Sequence, residues 1–119
     1  MMGDLKHLLE NWGADTKAAL HSMMDDEEFY VRLLKEFSEN TEIELLNNAL
    51  EKEHYKEAFK IAHEMKGTVV TLGLKPLYKA VSKLVEDLRN VPAPTVYDDL
   101  EAVNLEYESF LEIMKLYLI

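Results

Sequence analysis

The segment Tyr55-Lys56-Glu57-Ala58-Phe59-Lys60-Ile61-Ala62-His63-Glu64-Met65-Lys66-Gly67-Thr68-Val69-Val70-Thr71-Leu72 decides the fold. Ala58, Ile61, Ala62, Met65, Val69 and Leu72 recur at three- and four-residue steps, the period of one face of an α-helix. Gly73 then suits a helix C-cap and Pro76 the first turn of the helix that follows. That next helix, from Pro76 to about Arg89, is expected to bury Leu77, Val81, Leu84 and Leu88 and to turn Lys75, Lys79, Lys83 and Arg89 to water. Pro92 and Pro94 break the chain. Thr95 is placed to cap a last helix whose stripe is Val96, Leu100, Val103, Tyr107, Phe110 or Leu111, Met114 and Leu118.

Upstream of the deciding segment, Thr41-Glu42-Ile43-Glu44 has the form of a capping box and opens a helix through Leu46, Ala49 and Leu50. Before it, Asp25 or Asp26 caps a helix carrying Phe29, Leu33, Leu34 and Phe37 at helical spacing. Residues 4–11 form a short amphipathic piece stopped at Trp12-Gly13, and a second short helix runs from Asp15 or Thr16 to about Met23. No stretch alternates with period two for long enough to make a strand. The fold class is therefore all-α, an antiparallel up-down four-helix bundle with one or two extra short N-terminal helices. At 119 residues the chain has the size of a single domain spanning 1–119. Its initial Met and lack of linker-like ends favour a free-standing protein.

Composition narrows the function. There are no cysteines, which rules out disulfides, thiolate metal ligands and thiol nucleophiles. No apolar run is long enough for a membrane span and the N-terminus lacks a signal-peptide pattern, so a cytoplasmic location is expected. A net charge of −10 argues against nucleic acid and anionic membrane as partners. The charge is unevenly spread, however. Between Lys52 and Arg89 lie eight of the thirteen basic residues against five acids, so this window is +3 and the remainder −13.

The basic window contains one unusual face. Advancing about 100° per residue, the apolar stripe of the deciding helix centres roughly opposite His63, which should face water. Lys56, Lys60 and Gly67 fall to one side of the histidine and Lys66 to the other, with Phe59 and Val70 below and above it. If the following helix runs antiparallel, the level of His63 on it is near residue 86, which puts Lys83 and Arg89 within reach. An imidazole is a competent nucleophile at neutral pH, and an ammonium one turn on would balance the charge of an added phosphoryl group. Gly67, without a side chain, would leave room for a partner's active site to close over the histidine.

Ala62-His63-Glu64-Met65-Lys66-Gly67-Thr68, then Gly73, Leu77 and Leu84, resembles the signature of histidine-containing phosphotransfer (HPt) domains. That pattern runs A-H-x-L-K-G, a small hydroxyl residue and a second glycine ten after the histidine. Met65 replaces the usual leucine, a mild change in an apolar stripe. The resemblance covers roughly residues 14–117. The helical wheel and the antiparallel neighbour set Phe59, Lys60, Val70, Lys56, Lys83 and Arg89 around this face to dock a receiver domain, and the resemblance implies that His63 is the phosphorylated residue, that Lys66 supports the phosphoryl group and that Gly67 gives access. It further implies a phosphoryl carrier of a multistep two-component phosphorelay, taking the group from a receiver aspartyl phosphate and passing it on. Response-regulator receiver domains and a sensor histidine kinase pathway would be its partners, Mg²⁺ would be supplied by the receiver, and the chain would need no cofactor or metal and act as a monomer. Several family members carry a glutamine on the following helix near the histidine; Val85 falls there in this chain.

Rival readings have their own residues. His7, His21 and His54 lack such company and read as solvated surface histidines. Glu51-Lys52-Glu53-His54 holds the Glu-x-x-His spacing of di-iron bundles, but Asp4, Ala18 and Lys60 stand three residues before the other histidines, so no second copy exists. Metal analysis of the purified protein tests that reading. The sequence has neither G-x-x-x-x-G-K-[ST] nor G-x-G-x-x-G, so intrinsic ATP-dependent kinase activity is not expected. The other alternative is a non-catalytic helical adaptor that docks a receiver or other partner through the His63 face.

Overall fold

A computed structural model describes residues 2–91 and 93–118. Pro92, expected to break the chain, lies outside the described residues, as does the side chain of Leu118. Among the described residues there are seven helices and no strand: α1 (Gly3–Trp12), α2 (Thr16–Ser22), α3 (Glu27–Ser38), α4 (Glu42–Glu51), α5 (Tyr55–Thr71), α6 (Lys75–Leu88) and α7 (Val96–Leu118). None of them is long and apolar enough to cross a membrane.

The architecture is a helical bundle built on α5, α6 and α7. Antiparallel order along α5 and α6 follows from Arg89 lying over Phe59 at one end and Lys66 over Tyr78 at the other. The α6–α7 pair is antiparallel too, since Lys83 meets Asp99. The fourth corner is shared by α3 and α4 placed end to end. Tyr97 Oη donates to the Leu50 carbonyl, Asn47 and Asn104 exchange amide hydrogen bonds of 3.0 and 2.9 Å, and Tyr107 Oη donates to the Phe37 carbonyl. Going down α7 the partners therefore pass from α4 to α3. The buried apolar residues of all seven helices form one cluster, with Tyr30 and Phe110 among its largest fully buried members.

The stripes expected for α5 and α6 are the buried ones: Ala58, Ala62, Met65 and Val69 on α5, Leu77, Val81, Leu84 and Leu88 on α6, where Val85 joins them. Ile61 is half-buried at the edge. In α3 the core is Tyr30, Leu34 and Phe37, while Phe29 is exposed. Tyr30 reaches inward because its hydroxyl has a buried acceptor, the Leu72 carbonyl at 2.7 Å, and a buried phenol needs such a partner. That burial pushes its pKa far above the ordinary tyrosine range, with Asp15 adding to the rise.

One expected cap is corrected: Thr41 occupies the N-cap position of α4 without a side-chain cap bond, and the Asn40 carboxamide oxygen accepts instead from the Glu42 N–H. Thr95 stands at the start of α7, where its carbonyl accepts from the Asp99 N–H at 2.9 Å and its hydroxyl donates to Asp87 Oδ2 at 2.7 Å. The cap of α3 is formed as read, by Asp26 on the Phe29 N–H, and Asp15 caps α2 on the Ala18 N–H.

The end of α5 is fixed by Gly73. Its N–H bonds the Val70 carbonyl and the Leu74 N–H the Val69 carbonyl, the paired bonds of a Schellman termination. Gly73 takes φ +72°, and its own carbonyl accepts from the Asp15 N–H at 2.8 Å, tying α2 across the α5–α6 turn. These bonds hold α2 against the C-terminal end of α5, below the level of His63.

Candidate functional site

His63 projects from the middle of α5 and is exposed, as the position opposite the apolar stripe requires. Its ring stacks on Phe59, one turn earlier, with centroids 5.9 Å apart and planes 24° from parallel. Phe59 is half-buried, so the sequence expectation of a freely exposed side chain is corrected: the ring is wedged between α5 and α6. The Arg89 guanidinium lies over it at 5.1 Å from the centroid, and Arg89 Nε is 3.4 Å from Glu86 Oε1. Among the described residues no side chain hydrogen-bonds the His63 imidazole. Val85, on the neighbouring α6, is fully buried.

Lys66 is half-buried and its ammonium sits 6.0 Å from the centre of the Tyr78 ring on α6. Tyr78 was not anticipated, although the antiparallel register of α5 and α6 and the aromatic at that level carry the signal. Gly67 is exposed, and a Cβ built on it would meet nothing within 4 Å. Val70 is 56% exposed one turn further along the same face. Lys56 and Lys60 are exposed, and Lys56 borders a groove between α5 and α6 floored by Tyr55, Phe59, Leu88 and Val91 with Arg89 on its far rim.

Lys83 is not brought to His63. Its ammonium is 3.0 Å from both Asp87 Oδ2 and Asp99 Oδ1, on the flank of α6 that faces α7. The reason is angular: six residues separate Lys83 from Arg89, which about 100° per residue turns onto a different face. Asp99 is only 4% exposed. Burial raises its carboxyl, and the adjoining Asp87 reinforces the rise. Asp87 is instead held down to about 2, first by the hydrogen bond shared with Asp99, then by Thr95 and Lys83. This cluster locks the α6–α7 turn and is separate from the His63 face.

The two flanks of His63 differ in charge. On the α6 side stand Lys66 and Arg89 and also Lys56, which the helical wheel had set on the Gly67 side but which lines the groove toward α6. On the other side Glu64, Gly67 and Thr68 border a groove against α3 that also takes in Glu36 and Asn40. Burial raises the Glu42 carboxyl nearby, the Asn40 amide opposes the rise and Glu64 adds to it. An exposed imidazole, open space beside it and, on one flank, ammonium groups with no ion-pair partner among the described residues suit a nucleophile that must be reached by a large, anionic active site.

A family model described as Hpt domain matches residues 28–112, from the first turn of α3 to near the end of α7. No curated protein and no solved structure matches the chain.

Proposed function

The chain belongs to the Hpt domain family, and from that premise we propose that it carries a phosphoryl group on His63 within a multistep two-component phosphorelay. An unprotonated ring nitrogen of His63 attacks the phosphorus of an aspartyl phosphate on a response-regulator receiver domain. The new N–P bond forms as the acyl O–P bond breaks, and the receiver's carboxylate leaves with the electron pair, in line. Reversal onto a second receiver passes the group on. Lys66 supports the phosphoryl charge, and Gly67 gives access. Phe59, Val70, Lys56, Lys60 and Arg89 form the docking face; Lys83 serves the α6–α7 turn instead. Mg²⁺ belongs to the receiver in this scheme and the phosphoryl group enters the pathway from a sensor histidine kinase, in the cytoplasm, with this chain acting as a single-domain monomer.

One observation carries the reading: His63 stands exposed on the helix face where Gly67 leaves open space, and nothing among the described side chains hydrogen-bonds its ring. The test is transfer from a panel of phosphorylated receiver domains. Wild type should take up acid-labile, base-stable label from at least one, His63→Gln from none, and Lys66→Ala more slowly by at least about tenfold, as expected for loss of a charge-assisted contact. Wild type that binds a receiver without taking label would be a helical adaptor.

A further inference from the structure

We infer that Phe59 is the positioning residue for His63: its ring is the platform on which the imidazole is held, nitrogens outward, for transfer. This rests on the phosphoryl-carrier reading above and gives Phe59 a part beyond docking. The i, i+4 spacing brings the two rings together, because helical side chains tilt toward the N-terminus and His63 therefore lies over the turn that carries Phe59. The separation of 5.9 Å and the 24° between planes are those of an offset stack. The platform is itself held in place, half-buried against the core below and covered by the Arg89 guanidinium at 5.1 Å, which Glu86 steadies in turn.

A stack restrains an imidazole through its face and leaves both nitrogens free on the perimeter. A hydrogen bond would restrain it by occupying one of them. Val85 is apolar and buried on the neighbouring helix, and no described side chain hydrogen-bonds the ring, so the stack supplies the orientation that a polar partner would otherwise give. Orientation matters for in-line attack, where a misplacement of about 1 Å costs up to about a hundredfold in rate.

The experiment compares wild type, Phe59→Leu and Phe59→Tyr in single-turnover transfer from a phosphorylated receiver domain that charges the wild-type chain, over a range of receiver concentrations. Leucine keeps apolar bulk for docking and loses the ring. The expected result is a maximal rate about tenfold lower for Phe59→Leu, with the half-saturating concentration within about twofold of wild type, and recovery of the rate in Phe59→Tyr. NMR of the unphosphorylated protein should show NOEs between the Phe59 and His63 rings, and His63 ring-proton resonances that move downfield in the leucine variant only. An unchanged maximal rate in Phe59→Leu, a loss confined to the half-saturating concentration, or absent ring-to-ring NOEs would each overturn the inference while the carrier reading stands. Wild type that takes no phosphoryl group from any receiver overturns both.

Discussion

Gly67 sits in the middle of α5, where glycine costs about 1 kcal/mol relative to alanine, and the fold gives no reason for it: a Cβ there would meet nothing within 4 Å. Gly67→Ala should therefore raise stability by about 0.5–1 kcal/mol in denaturant melts. If the residue provides clearance, the same variant should slow transfer from a receiver several-fold; a destabilised variant, or one that transfers at the wild-type rate, would contradict this account. Gly73 is the opposite case. It takes φ +72°, and a Cβ on it would stand well inside contact distance of the Asp15 carbonyl oxygen. Gly73→Ala should cost at least about 2 kcal/mol, measurable by the same melts. Both glycines were legible in the sequence by their spacing from His63. The reading of Gly67 as clearance and Gly73 as a helix stop was legible too, but the crowding at Gly73 was not, because it depends on α2 arriving against the α5–α6 connection. Phe59 shows the same limit: its place beside His63 follows from helical spacing, but its half-burial depends on Arg89 of another helix.

At the scale of elements, periodicity alone identified the buried faces of α5, α6 and α7, because each helix packs one stripe on a single core. It served less well in α3, where Tyr30 and not Phe29 is inside. The deciding contact there is a hydroxyl meeting the Leu72 carbonyl at the far end of α5. The cap at Thr41 is missing because Asn40, one residue earlier, takes the Glu42 N–H with its own carboxamide oxygen. Lys83 lies on the flank of α6 turned toward α7, where it meets Asp99, a residue whose burial the sequence does not display. The α6–α7 turn makes a pH-dependent prediction. Asp87 is held down to about 2 against an ordinary 3.8, so the stability its ionised form contributes is fully present above the unfolded value and is lost as pH falls through the folded one. Asp99, raised by burial, acts in the opposite sense: its contribution is present at low pH and fades as pH rises through its folded value. Asp87→Asn should thus lower the melting temperature at neutral pH, and the gap from wild type should narrow as pH falls from about 4 toward 2. A gap that does not change with pH would mean that the carboxylate of Asp87 does not hold the turn.

For the whole molecule, the charge sum of −10 hid the arrangement that matters. The basic window between Lys52 and Arg89 was visible as a composition shift, and α5 and α6 gather part of it on one flank of His63, while Glu36, Glu42 and Glu64 lie toward α3 and α4. The bundle was legible because four amphipathic stretches with short connections pack in few ways. That α3 and α4 would share one corner was not, since the break at Asn40 carries no Gly or Pro and depends on a side-chain bond to the next N–H. Phosphoryl transfer at His63, the proposed role of this scaffold, is read out by intact-mass measurement at alkaline pH after incubation with a phosphorylated receiver domain. Wild type should gain one phosphoryl group, lost on brief acidification and absent in His63→Gln. A His63→Gln protein that gains the group as wild type does, or a wild type that gains none from any of a panel of receivers, would contradict that role.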